Sequence, residues 1–217
     1  MNESVFRLED IKLARETGKS KELIKKLREN KSDEIDFAVV GYAGSGTSFV
    51  INQLKAYLKS KGSNPIVIKA RSALDKYAKA SGIALPSIEL SAIERTTEYQ
   101  RIGDELRRNS GEYGAVAAYM IREIRGIRDS GDIDNKNVFI LDSLKHPQEV
   151  DLLKHVYGNS FCLIGVGCRP DIRTKRLQTK FNIADAADQT LQSFLSRDAE
   201  DSEHKYGQQV NDTFHRA

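Results

Sequence analysis

Between Phe37 and Val50 the chain reads FAVVGYAGSGTSFV, and its three glycines stand where a backbone that wraps an anion needs them. Gly41 and Gly46 bracket four residues and Ser48 follows two places on. That spacing fits the phosphate-loop pattern G-x-x-x-x-G-K-[ST] at every position but one. Gly41, Gly44 and Gly46 let the backbone curl until several N–H groups face one anion. A helix starting near Thr47 adds the positive end of its dipole, and the Ser48 hydroxyl is placed to ligate Mg2+. Ser45 and Thr47 complete the candidate cradle. The exception is position 47, where the pattern calls for Lys and the chain has Thr. A lysine against a phosphate oxygen contributes on the order of 4 kcal/mol of gross attraction at ~4 Å and an effective dielectric near ~20. Backbone amides, dipole and Mg2+ can sustain binding without it, whereas losing one preorganised charge stabiliser costs roughly 100- to 1000-fold in rate. The spacing thus supports phosphate binding more strongly than phosphoryl transfer. A glycine turn with no ligand is the competing reading.

A second candidate lies in NVFILDSLKHPQEV, where the apolar run Val138 to Leu141 leads into Asp142. A carboxylate at the C-terminal tip of a buried strand beside a phosphate loop orients Mg2+ or a bound water, which makes Asp142 the candidate catalytic and metal-binding group with Ser48. An ordinary loop or N-cap Asp is the alternative. A third is CRPDIRTKRLQTKF, followed by SFLSRDAED. Arg169, Arg173 and Arg176 recur there at helical neighbour spacings, with Lys175 and Arg197 nearby. Guanidinium forks match phosphate oxygens, so this segment is a candidate lid over a bound nucleotide; a solvated helix face is the alternative. Arg71 follows the apolar run of NPIVIKA, at the edge where α/β sheets bind ligands. Arg101, Asp104 and Arg107 in YQRIGDELRR could line an acceptor pocket, or form a surface salt-bridge face.

The elements that must position these groups alternate. Short β-rich apolar runs occur at Ile35 to Val40, in NPIVIKA, in NKNVFILDS and in NSFCLIGVG. Helical stretches intervene: Thr47 to Lys61, with Phe49, Ile51, Leu54 and Leu58 on one face and Gly62 ending it, and a long charged region from about Ser72 to Asp129, striped at its end by Val116, Met120, Ile124 and Ile127. Strands alternating with helices predict a parallel sheet in an α/β fold, here the three-layer α/β/α P-loop type. Residues 1–34 read as a charged helical N-terminal extension packed on the domain formed by residues 35–217. The ending GQQVNDTFHRA shows no closing strand.

Composition narrows the function classes. The chain has 217 residues, a formal net charge of +3, 30% charged residues and a mean hydropathy of −0.51. That mild basicity falls short of a dedicated nucleic-acid binder. The cysteines, Cys162 and Cys168, are read as two buried small side chains in a reducing compartment rather than a disulfide framework. No apolar run reaches the ~18 residues of a membrane span, and the N-terminus lacks the apolar core of a signal peptide. The expectation is a cytoplasmic protein with no membrane partner.

The GSG loop, Arg71, RIGDELR, LDSLKHPQEV and CRPDIRTKRL…FLSRD together resemble the nucleotide-kinase-like P-loop family, especially its dephospho-coenzyme A kinase branch, over roughly residues 35–213. The wording of RIGDELRRNSGEYGAVAAYMIREIR, FILDSLKHPQEVDLLKHVYGNSFCLIGV and RLQTKFNIADAADQTLQSFLSRDAED is closer to the N-terminal domain of bacterial deoxycytidylate deaminase-related proteins. The resemblance implies a kinase-like domain followed by a zinc deaminase domain, acting in anti-phage defence by depleting deoxycytidine nucleotides. The deaminase signature H-x-E with P-C-x-x-C is absent here. The histidines, His146, His155, His204 and His215, have no Glu two residues on. Zinc is therefore not expected in this chain, which stops where that family continues.

The expectation is a nucleotide-binding domain that takes a nucleoside triphosphate with Mg2+, or a deoxycytidine nucleotide, and regulates a deaminase domain in the longer protein. An active ATP-dependent nucleotide or dephospho-coenzyme A-like kinase is the alternative, and needs another cation in place of the missing lysine. Homo-oligomerisation and an inhibitory RNA are further expected partners. With aromatic residues at 7% and no Trp, no stacking platform for RNA is evident.

Overall fold

The structure, a computed structural model, describes residues 36–130, 137–199 and 206–217. The extension predicted over residues 1–34 lies outside them. The described chain forms a four-stranded, all-parallel sheet flanked by helices, an arrangement compatible with a three-layer α/β/α fold. The strands are β1 (Asp36–Gly41), β2 (Asn64–Lys69), β3 (Asn137–Leu144) and β4 (Phe161–Val166). Their order is β2-β3-β1-β4, so β1 runs between β3 and β4. That position explains its sequence: Ala38, Val39 and Val40 are fully buried, and a strand covered on both faces shows a continuous apolar run instead of alternation.

Side chains of β1 and β3 alternate between two cores. Val39 and Ile140 pack with Ile51, Leu54 and Leu58 of α1 (Thr47–Ser60). Ala38, Phe139 and Leu141 face the other way, against α2 (Ala70–Ser81), α3 (Ala92–Ser110) and α4 (Ala115–Asp129). The long helical region expected from Ser72 to Asp129 is thus three helices. Gly82 and Gly111 close the first two with φ of 67° and 69°, a left-handed conformation that glycine adopts without penalty. In α4 the expected stripe is observed: Val116, Met120 and Ile124 are buried and Ile127 packs beside them.

After β3 come α5 (Pro147–Tyr157), β4, α6 (Pro170–Phe181), α7 (Gln189–Ala199) and a short α8 (Val210–Phe214). Both α5 and α6 begin on a proline, whose fixed φ suits the first helical position. Leu177, Phe181, Leu191 and Phe194 join α6 to α7, with Ala43 packed against them. Cys162 corrects an expectation: it is exposed and Cys168 is half-buried, both as free thiols. The reason is topological, since among the described strands β4 pairs with β1 alone and presents an edge.

Charge organises the junction of α3 and α5. Arg107 is 2% exposed; its guanidinium donates to Asp104 Oδ1 at 3.2 Å and to Glu149 Oε1 at 2.8 Å. Arg197 donates to Asp104 Oδ2 at 3.1 Å. Glu149 in turn accepts the backbone N–H groups of Lys145 and His146, while His146 Nδ1 accepts the N–H of Gln148. These bonds satisfy the open end of α5 as a capping box. Arg101, by contrast, pairs with Glu98 and Glu105 on the surface.

Replacing Arg107 with Met should destabilise the fold by about 3–5 kcal/mol at pH 7 in urea unfolding, because it strands buried carboxylates. Burial, followed by the Arg107 charge, pushes His146 down to about 3. The folded state therefore resists the proton that the unfolded chain accepts near its ordinary value. Stability from this group is complete above about pH 6.5 and falls as the pH drops, by roughly 2 kcal/mol at pH 5. In His146→Asn, which can still cap α5, the acid slope of the urea midpoint should flatten between pH 7 and 5.

Candidate functional site

The segment Tyr42–Gly46 leaves the C-terminal end of β1 and enters α1. Gly44 and Gly46 hold φ of 83° and 105°, and Gly46 is the N-cap of α1 with no side chain capping it. Gly41 is fixed by space instead: a Cβ there would stand 2.6 Å from Ser45 Oγ and 2.7 Å from the Val166 carbonyl oxygen. Ser45 is 4% exposed, and its hydroxyl turns beneath the loop without a hydrogen-bond partner among the described residues. The Ser45 N–H closes a turn on the Tyr42 carbonyl at 3.0 Å. The N–H groups of Gly44, Gly46, Thr47 and Ser48 make no such bond among the described residues. Open amides at a helix N-terminus after a glycine turn form a concavity for an anion.

The outer, carbonyl side of this loop is gripped. Arg173 Nε donates to the Ala43 carbonyl at 3.0 Å, and Arg176 donates from one nitrogen to the carbonyls of Gly44 at 3.2 Å and Ser45 at 3.1 Å. Asp198 is 1% exposed and accepts the Ala43 N–H at 2.6 Å, Arg173 at 2.9 Å and Lys145 Nζ at 3.0 Å. Tyr42 lies between the Arg173 guanidinium, 4.9 Å from its ring centroid, and the Phe214 ring at 6.2 Å, while its hydroxyl donates to Asn211. The loop is thereby clamped by α6, α7 and α8.

Each residue singled out in the sequence has a definite place. Arg173 and Arg176 come to the loop, but on its carbonyl side. Arg169 does not reach it: it is exposed and paired with Asp171. Ser48 is exposed on the first turn of α1, and Thr47 is half-buried, its methyl carbon 2.9 Å from where a Gly41 Cβ would stand. Arg71 opens α2 and stacks over Tyr99 at 4.4 Å, and the Tyr99 hydroxyl donates to Asp75. Asp142 lies across from Val39 of β1 on one side and Lys69 of β2 on the other. Burial raises its carboxyl above the ordinary range, and Lys69 and Lys145 oppose that shift.

The sequence reading passed over Lys145, Asp198, Lys69 and Lys180. Lys180 rises from the end of α6; partial burial of its ammonium, then Arg71 and Lys145, press it below the usual lysine range. The C-terminal edge of the sheet thus gathers Lys69, Arg71, Lys145, Arg173, Arg176 and Lys180 around the carboxylates of Asp142 and Asp198. That excess, beside open amides, is an environment for a polyanion. Among the described residues no cluster of three His, Cys, Asp or Glu side chains stands ready to hold a metal. The oxygens of Ser48 and Asp142 do suit Mg2+, which takes few protein ligands and completes its shell with water and phosphate. No protein-family model matches the chain, and no curated protein matches it either.

Asp142→Asn should raise the melting temperature at pH 7. A carboxyl raised by burial destabilises the fold once it ionises, so its contribution falls as pH rises through the folded value, and the amide removes that loss. The same substitution should weaken any Mg2+-dependent ligand binding. A melting temperature below that of the wild type would contradict this account.

Proposed function

We propose that the Gly41–Ser48 loop is a P-loop and that the chain is a nucleotide-binding domain of the nucleotide-kinase-like type. The observation that carries this is the run of open amides at Gly44, Gly46, Thr47 and Ser48, set at the C-terminal edge of a parallel sheet among cations. Ligands of open α/β sheets bind at that edge. Ser48 and Asp142 would hold Mg2+, which would neutralise phosphate charge. Arg71 and Lys180 stand where a further phosphate or an acceptor could be met.

Binding that serves regulation is supported over turnover by two features. Thr47 supplies no charge to a phosphoryl group in flight, and Arg173 and Arg176 direct donors to the loop's own carbonyls. The partner proposed for such a sensor is a deoxycytidylate deaminase domain in the longer protein, in anti-phage defence; the sequence resemblance alone supports that step. The second reading, an ATP-dependent kinase, is favoured by Asp142, whose raised carboxyl suits a group that accepts a proton from an attacking hydroxyl.

Calorimetric titration of the purified chain with ATP, dCTP and dCMP, each with and without Mg2+, followed by assay for ADP, tests both readings. Binding without ADP supports the sensor, and turnover supports the kinase. Absence of binding to all three would overturn the P-loop assignment. Gly46→Asp and Gly46→Ala share the strain of a φ of 105°, about 1–2 kcal/mol. Only Gly46→Asp adds a negative charge to the loop, next to the open amides and with its Cβ 3.3 Å from Arg176 Nη1, so it should abolish binding where Gly46→Ala retains it.

A further inference from the structure

We infer that Lys145 supplies the phosphate-binding cation that the loop's own sequence lacks, and that the ligand it selects is a nucleoside di- or triphosphate. The inference rests on the loop being a phosphate site.

Thr47 and Lys145 converge on Gly41 from different elements. The Thr47 methyl carbon lies 2.9 Å from the Cβ position of Gly41, and Lys145 Nζ lies 3.4 Å from the Gly41 carbonyl oxygen. The short side chain at position 47 leaves the span of the loop uncrossed, and an ammonium from the segment after β3 arrives at its first residue. Lys145 is held at both ends. Its backbone N–H donates to Glu149 Oε2 at 2.8 Å, and its Nζ donates to Asp198 Oδ1 at 3.0 Å. An ammonium carries three donors, and two are directed at Gly41 and Asp198, leaving one for a ligand. The side chain is 21% exposed, so one side of it is open to an incoming anion.

The other cations are placed differently. Arg173 and Arg176 spend donors on the loop carbonyls of Ala43, Gly44 and Ser45. Arg169 is engaged with Asp171 at the surface. Lys69 and Lys180 make no hydrogen bond to the loop among the described residues. Lys145 and Arg173 both join the loop backbone to the buried Asp198, Arg173 at Ala43 and Lys145 at Gly41, the first residue of the loop, which fixes where the Lys145 charge stands. A loop lysine of the usual pattern serves the phosphates beyond the first. A cation delivered to the same glycine would do likewise and favour chains of two or more phosphates.

The test titrates ATP and dCTP, with Mg2+, into the wild type, Lys145→Met, the double variant Lys145→Met with Asp198→Asn, and Gly46→Asp. Asn at 198 can still accept the Ala43 N–H, so the double variant keeps the loop anchored without an unpaired buried carboxylate, and thermal melts confirm folding. Lys145→Met should weaken whichever triphosphate binds by roughly 10- to 100-fold, the range of one charge-assisted hydrogen bond, and the double variant should remain equally weak. Wild-type affinity in Lys145→Met, with binding abolished in Gly46→Asp, would overturn the inference and leave the P-loop reading standing. Recovery in the double variant would also overturn it, by reducing Lys145 to a neutraliser of Asp198. A wild type that binds neither triphosphate would overturn this inference, and one that also fails to bind dCMP would remove the P-loop reading with it.

Discussion

The Asp198 carboxylate accepts donors from three elements: the Ala43 amide of the glycine loop, Lys145 after β3 and Arg173 in α6. Removing a carboxylate from water is costly, and it is tolerated where both oxygens find donors and the charge finds partners. Oδ1 takes Lys145 and Oδ2 takes Ala43 and Arg173, and the consequence is mechanical. A glycine-rich segment, free by composition to take many conformations, is held at its third residue by a buried charge. The open amides of the next residues then point one way because the loop behind them cannot turn.

A second buried ionic centre, built on Arg107, stands behind the first. It fixes α3 against the N-terminus of α5 through Glu149, and Glu149 also binds the Lys145 backbone. Lys145 therefore belongs to both centres, with its main chain tied to one and its ammonium to the other. Movement of α5 relative to α3 would displace the Lys145 ammonium, and with it the partner of Asp198. Aromatic stacking of Tyr113 on His146 and on Tyr206 closes the same region.

Much of the architecture is legible in the sequence because buried parallel strands write themselves as short β-branched runs and Gly62 marks a helix end, whereas the helix ends at Gly82 and Gly111 go unread within one long helical region. Strand order is not written that way. Nothing in NSFCLIGVG distinguishes an edge strand from a central one, so the exposure of Cys162 followed only from the sheet. The candidate site drew its glycines and Asp142 from the sequence, because their types and spacing carry local rules. Arg173 and Arg176 were visible as lid candidates by charge, but the side of the loop that they meet depends on how α6 docks. Lys145 and Asp198 were less visible, because their pairing spans 53 residues and neither sits in a spaced pattern. The reading of SFLSRDAED stopped at Arg197, the neighbour of the residue on which the loop depends.

The order in which the chain is synthesised gives the parallel register a further consequence. Asp36 of β1 pairs with Phe139 and with Phe161, so the strand that ends in the glycine loop gains its neighbours only after long stretches of later chain exist. Closing such large loops is entropically slow. The loop's anchor, Asp198, comes later still. On the ribosome, a segment made in the first quarter of the protein waits for nearly all of the remainder before its amides are fixed in place. Any ligand competence of that loop would then serve as a report that translation and folding have both reached the end of α7.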